Sequence, residues 1–258
     1  MTTESHDAEE LPPASPLPCP EPAGRASPAE QDRALLRIGA VAGILGVLLQ
    51  IITDQLHPAQ AHPNDSAAAF AEYARSDIWV SVHIGQFLGT LLIVVALIAL
   101  ARSAVRQPGT AGALAVVGAL TAVVVAAVFT VQMAVDGVAL RAAVDVWSRA
   151  GGADKSTAFL MADDVRSIEK GLGGFFQMSN GLTLLALGLS LALGHAFPRW
   201  LGWIGAIGGA GWLAGGVVTA HTGFSMAASR VLTGPLLLTI VFLIGACVLM
   251  WRRSGAAH

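Results

Sequence analysis

Long apolar segments alternate with short polar ones along most of this chain. Six of the apolar segments are about twenty residues long, and an α-helix of that length spans the ~30 Å hydrocarbon core of a bilayer, since it rises ~1.5 Å per residue. They occupy residues 35–52, 79–101, 111–131, 172–193, 201–220 and 231–250. The pattern therefore predicts an all-α fold, a polytopic transmembrane bundle with six spans.

Two of the polar segments between the spans have helical patterns of their own. A capping run at residues 64–66 precedes a short apolar pattern and predicts a short helix at the membrane surface. The third span continues past the bilayer to about Arg149, where the glycines at 151–152 end it, and a helical pattern resumes near Ser156. We expect a helical hairpin and a short surface helix on the outer face.

Composition agrees with a membrane environment. Apolar residues make up 54% of the chain and charged residues 12%, and the mean hydropathy is +0.65. A soluble protein of this size has about twice that share of charged residues, ~25%. The lipid bilayer is therefore the expected partner.

The chain divides into three parts by composition. Residues 1–33 hold seven acidic residues against two arginines and are rich in proline, so we expect a disordered cytoplasmic tail. Residues 34–253 form the six-helix domain, and residues 254–258 a short disordered end. The net negative charge of residues 1–33 excludes nucleic acid as a partner of this tail. Cys19 and Cys247 lack the spacing of a zinc site or a disulfide framework.

Basic residues indicate the orientation. Arginine pairs at 102/106 and 252/253, together with Arg37 and Arg199, fall on one side if both termini are cytoplasmic, as the positive-inside rule requires. The segment 137–171 carries equal numbers of basic and acidic residues and does not decide the matter. We expect a multi-pass protein of the cytoplasmic membrane with both ends inside.

Polar side chains collect near the outer ends of the spans. His83 and Gln86 are three residues apart and share a helix face, as do Gln132 and Asp136, four apart. The candidate cluster comprises Asp54, His83, Gln86, Gln132, Asp136, Arg166, Glu169, Gln177, Asn180 and His221. Polar groups at membrane depth face a partner or water. The cluster is thus either a pocket that binds a small ligand, lipid or protein partner, or a set of interactions that fixes the bundle.

More specific chemistry is open to the same residues. His83 and His221, with Asp136 or Asp54, are suitable metal ligands, although no two have ligand spacing along one helix. A haem between His83 and His221 requires those histidines to face each other. The chain has no nucleophile motif, and few polar groups lie near the midplane, where a transporter places its site. A non-enzymatic protein without a cofactor is favoured over a metal or haem protein and over a small-solute transporter.

The predicted hairpin also suggests a charge pair. Asp136 and Arg166 lie almost equally far from its turn, so two antiparallel helices with the same rise would bring them to the same height. A carboxylate–guanidinium pair at the membrane boundary offsets the cost of placing either charge there. We expect these two side chains to form an ion pair, with Glu169 as a competing partner for Arg166.

Glycines four residues apart recur in several spans, at positions 39/43, 85/89, 205/209 and 211/215. This spacing allows transmembrane helices to approach each other closely. We expect helix–helix contacts at these positions.

Three stretches carry a resemblance to a known family: residues 74–87 (ARSDIWVSVHIGQF), 135–140 (VDGVAL) and 197–205 (FPRWLGWIG). Over about residues 35–250 the chain resembles a family of uncharacterised actinobacterial multi-pass membrane proteins. That resemblance implies a membrane fold and location, and it implies no activity.

Overall fold

The structure is a computed structural model that describes residues 27–58 and 60–255. Six long helices confirm the predicted all-α architecture: α1 (Pro28–Leu56), α3 (Trp79–Ala104), α4 (Thr110–Ala134), α6 (Asp154–Leu193), α7 (Arg199–Thr222) and α8 (Met226–Gly255). Short helices α2 (Ser66–Ala74) and α5 (Arg141–Arg149) lie between them, and residues Val135–Leu140 form a π-helical turn between α4 and α5. All six long helices are apolar enough to cross a membrane.

Local signals explain where the helices begin and end. Ser27 and Glu30 form a capping box at the start of α1. Pro58 disfavours helical geometry at His57, where α1 ends in extended backbone. Asp65 caps α2 by accepting a hydrogen bond from the Ala68 amide, as predicted for the 64–66 run. Gly152 ends the hairpin turn with a φ of 57°, which favours glycine.

The predicted tail boundaries need correction. Residues 28–33 belong to α1, and residues 254–255 belong to α8, so neither stretch is part of a tail. Residues 1–26, with most of the predicted acidic tail, and residues 256–258 lie outside the described residues.

Glycines bring the helices together. A Cβ atom on Gly188 of α6 would lie 2.2 Å from the Ala206 nitrogen of α7, and one on Gly209 would lie 2.4 Å from the Leu185 nitrogen. Gly43 of α1 has no room for a Cβ either, since that atom would lie 2.4 Å from the Cys247 sulfur of α8. The small residues therefore lie at helix–helix contacts, as their spacing predicts.

The two ends of the bundle differ. α2, the π-helical turn, α5 and the start of α6 lie at one end, which we call the hairpin end. An apolar cluster there contains Phe70, Trp79, Leu140 and Val144. Both described termini lie at the opposite end, where Asp32 pairs with Arg106 at 2.5 Å. A larger apolar core of alanine, leucine and phenylalanine fills the bundle between the ends.

Candidate metal centre

The first turn of α3 positions an aromatic pair. Trp79 and His83 are four residues apart, so they lie on the same helix face, and their ring centroids are 4.4 Å apart. Both side chains are buried, His83 to 2% exposure. The His83 Nδ1 lies 2.7 Å from the Trp79 carbonyl oxygen. Because a carbonyl oxygen only accepts hydrogen bonds, Nδ1 is the donor and carries a proton.

The π-helical turn brings a carboxylate to the other side of this histidine. The Trp79 indole N–H donates to the Asp136 backbone oxygen at 3.1 Å, which fixes the turn against α3. Gly137 lies directly against the His83 side chain, where a Cβ atom would come within 2.6 Å of the His83 Cβ. The Asp136 Oδ2 then lies 3.0 Å from the His83 Nε2. A π-turn at this place is informative, because such turns often mark functional sites.

The contact between His83 and Asp136 requires a positive charge. With the proton on Nδ1, the neutral imidazole presents the Nε2 lone pair to a buried carboxylate, and Nε2 has no hydrogen-bond partner in the described part of the chain. Two electron-rich atoms 3.0 Å apart in a buried site need a positive charge between or upon them. A second proton on His83 or a metal cation meets this need.

His57 is the third member of the group. Its ring centroid lies 5.2 Å from that of His83 and 5.1 Å from that of Trp79. Ligand atoms of His57, His83 and Asp136 all lie within 4.8 Å of one another. Burial lowers the pKa of His57, and the nearby Asp136 carboxylate opposes that effect. His57 therefore favours the neutral form, in which imidazole binds metals.

The donor set fits a transition metal. Two imidazoles and one carboxylate bind zinc or iron on one face and leave positions for an outside ligand. Metal bonds of ~2.0–2.2 Å place neighbouring ligand atoms about 3.0–3.5 Å apart, which matches the His83–Asp136 distance. A hydrogen bond from the second nitrogen to a backbone carbonyl is the usual support for a ligating histidine, and Trp79 provides it.

A second polar group lies beside the centre. The Arg166 guanidinium, 2% exposed, donates to the Tyr73 hydroxyl at 2.8 Å and to the Pro63 carbonyl at 3.2 Å. The predicted Asp136–Arg166 ion pair is wrong, because Asp136 pairs with His83 and Arg166 binds Tyr73 and Pro63. Burial raises the pKa of Tyr73 to about 12, although the Arg166 charge opposes that rise.

The other predicted site residues divide by exposure. Within the described residues, Gln132, Glu169 and Gln177 are buried, and each has a side-chain oxygen without a hydrogen-bond partner. Gln86 and Asn180 are half-buried. Asp54 and His221 are exposed, so both lie outside the buried group.

The metal and haem hypotheses built on His83 and His221 also need correction. His221 is exposed at the end of α7 and is not part of the group of candidate metal ligands, whose second histidine is His57, the residue that follows α1. His57 is not among the site residues expected from the sequence. Its position just before Pro58, at the same end as His83 and Asp136, was the available signal.

The centre borders two openings on the molecular surface. On the His57 side lies a hollow of ≈ 980 Å³ lined mostly by polar residues, among them Asp54, Glu72, Arg75 and Asp77. On the His83 side lies a cavity of ≈ 200 Å³ between α3 and α4, lined mostly by apolar residues. The candidate centre therefore lies between a polar hollow and an apolar cavity.

Comparisons with protein-family models, with curated proteins and with solved structures gave no match. The six apolar helices identify the chain as a multi-pass integral membrane protein. Any more specific function has to be argued from the site.

Proposed function

We propose that this protein binds a divalent transition metal, with zinc as the expected ion, through His57, His83 and Asp136. The observation that carries the proposal is the His83 ring. Its Nδ1 donates to the Trp79 carbonyl, so its Nε2 faces the buried Asp136 carboxylate without a hydrogen bond. A metal cation between these atoms removes the repulsion and uses both as ligands.

The alternative to a metal is a proton between the His83 Nε2 and the Asp136 carboxylate. A doubly protonated His83 beside Asp136 would make a buried ion pair that fixes α3 against the π-helical turn, and the group would then be structural. The presence of His57 favours the metal. A third potential ligand within 4.8 Å of the other two has no role in an ion pair between His83 and Asp136.

Metal analysis of the purified protein tests the proposal. We expect one zinc per chain after reloading of the detergent-solubilised protein and removal of excess ion. Asp136→Asn keeps the shape of the side chain and removes the negative charge, and His57→Gln removes one nitrogen ligand. Each change should lower the zinc affinity about 100-fold, since four-ligand zinc sites bind with ~10–16 kcal/mol, or roughly 3 kcal/mol per ligand.

Two matched controls lie on the surface of the same bundle. Asp54→Asn removes an exposed carboxylate three residues from His57, and His221→Gln removes an exposed imidazole. Both variants should retain full zinc content. A wild-type protein without stoichiometric zinc, iron, cobalt or manganese would refute the proposal, and so would loss of metal in the His221→Gln variant.

We propose further that the hairpin end faces the outside of the cytoplasmic membrane. Support comes from the arginines at the opposite end, where Arg102 and Arg106 approach Asp32. Reporter fusions after Arg106 and Arg253 should report cytoplasm, and one near Gly152 should report the outside. A cytoplasmic signal at Gly152 would reverse the orientation. Membership of the actinobacterial family that the chain resembles also stays a prediction.

A further inference from the structure

The cavity beside His83 is an apolar groove between two spans. Val80, Ile84 and Phe87 of α3 form one wall, and Met133 of α4 with Val138 of the π-helical turn forms the other. The Thr130 hydroxyl in this lining donates to the Ala126 carbonyl of its own helix at 2.7 Å. His83 is therefore the one lining side chain that has an unsatisfied polar atom in the described structure.

The groove is continuous with the surface that faces lipid. Ile84 is 54% exposed and Val138 59% exposed, and both lie on membrane-spanning segments. Exposed apolar side chains on such segments contact acyl chains. An apolar chain can therefore enter this groove from the bilayer without crossing water.

The proposed metal centre borders the groove at His83, so it determines which chemical group the bound molecule should carry beside its apolar part. A divalent cation with the Asp136 carboxylate and two neutral imidazoles has a net charge of +1. The neighbouring Arg166 guanidinium donates to the neutral Tyr73 hydroxyl and Pro63 carbonyl, so its charge adds to the positive charge of this region. A metal with three protein ligands also keeps a position open for an outside ligand. An anionic oxygen group meets both requirements, since it neutralises the charge and fills the position.

We propose that the groove binds the acyl chain of a fatty acid whose carboxylate oxygen ligates the metal. The inference rests on the proposed metal site. A single chain suits a groove of ≈ 200 Å³ between two helices. A diacyl phospholipid fits less well, because its headgroup carries a second acyl chain for which the groove has no room. His83 lies within two turns of the start of α3, so the carboxylate would stay near the membrane boundary, where a charged headgroup is least costly.

Binding of radiolabelled palmitate to the zinc-loaded protein in phosphatidylcholine nanodiscs tests this inference. Empty nanodiscs give the background from partitioning into the bilayer. We expect saturable binding of palmitate, one per chain, that falls at least about tenfold when a chelator removes the zinc. Hexadecanol, which has the same chain without the carboxylate, should compete at least about tenfold less well than unlabelled palmitate.

Variants that fill the groove separate it from the rest of the lipid-facing surface. Ile84→Trp and Val138→Phe should each weaken palmitate binding at least about tenfold while zinc content stays at the wild-type level, which also shows that the site is folded. Leu120→Trp is the matched control, because Leu120 is 64% exposed on α4 and lies ten residues before the groove lining. It should bind palmitate as the wild type does.

The possible failures are distinguishable. Zinc-loaded protein that takes up palmitate only in proportion to the bilayer would overturn this inference and leave the metal site intact. Equal competition by hexadecanol would overturn the carboxylate–metal contact, and equal competition by a lysophospholipid would assign the groove to a phosphate headgroup instead. A protein that binds no metal at all would refute the proposed function and this inference with it.

Discussion

The contact between Gly137 and His83 offers a direct test of how the π-helical turn supports the centre. Gly137→Ala adds a Cβ atom that would lie 2.6 Å from the His83 Cβ and 3.0 Å from its Cγ. Ordinary van der Waals contact begins at 3.4 Å, so His83 or the turn must move by about 0.8 Å. The 3.0 Å contact between His83 and Asp136 cannot survive such a shift unchanged.

The size of the effect follows from that displacement. Overpacking of a buried contact costs ~1–3 kcal/mol, and alanine recovers ~0.5–1 kcal/mol over glycine within a helix. We expect the metal-free variant to be less stable by about 0.5–2 kcal/mol. Zinc sites tolerate distance errors of ~0.2 Å, so the variant should also lose about one ligand's worth of affinity, roughly 100-fold.

Thermal unfolding in detergent and zinc competition with a chelator measure the two effects. Gly171→Ala is the matched control, because a Cβ atom at this helical glycine meets no atom within 4 Å. It should unfold at or slightly above the wild-type temperature and bind zinc normally. If Gly137→Ala matched the control in both assays, His83 would not be packed against the turn, and the geometry of the centre would be wrong.

Three further predictions concern Tyr73, His57 and the α6–α7 contact. The single tyrosine of the chain, Tyr73, should ionise near pH 12 in an ultraviolet titration of the folded protein; because its folded pKa exceeds the unfolded value of about 10, stability should fall as pH rises from 10 to 12, by up to ~3 kcal/mol. A midpoint near 10 would show that Tyr73 is exposed. The folded pKa of His57 is lowered, so its contribution to the stability of the metal-free protein is complete above about pH 6.5 and is lost as pH falls below that value; His57→Gln should flatten this part of the stability curve, and an unchanged slope would contradict the assignment. Gly188→Ala should destabilise the bundle by ~1–3 kcal/mol, because its Cβ atom would lie 2.2 Å from the Ala206 nitrogen, whereas Gly171→Ala in the same helix meets no atom within 4 Å and should not be destabilising.

Hydrophobic patterning predicted the helices because a bilayer imposes a length on every span. Cap residues predicted the short elements as well, since Asp65 begins α2 and Gly152 ends the hairpin turn. The sequence also predicted that charged side chains lie near the ends of the spans, because such side chains avoid the hydrocarbon core. These features depend on the sequence within one segment, so they can be derived without knowing how the helices are arranged around each other.

Lateral contacts could not be derived in this way. The expected pairing of Asp136 with Arg166 assumed regular α-helical geometry on both sides of the hairpin. Asp136 lies instead in a π-helical turn, whose i→i+5 hydrogen bonds change the direction of the side chains that follow. No residue type in VDGVAL signals such a turn. It directs Asp136 toward α3, and Arg166 is left to bind Tyr73 of α2.

The location of the proposed centre suits both a metal ion that comes from water and an apolar ligand that comes from the bilayer. A metal ion needs an aqueous route, and the polar hollow beside His57 provides one without a passage through the hydrocarbon core. An apolar ligand needs a route from lipid, and the groove beside His83 provides that. A boundary between water and bilayer would give access to both, and the hollow and the groove both lie where α1 ends, α3 begins and α4 turns π-helical. The three proposed ligands come from those three places, so a bound metal would tie the end of α1 to α3 and the π-helical turn, which already share the Trp79–Asp136 hydrogen bond.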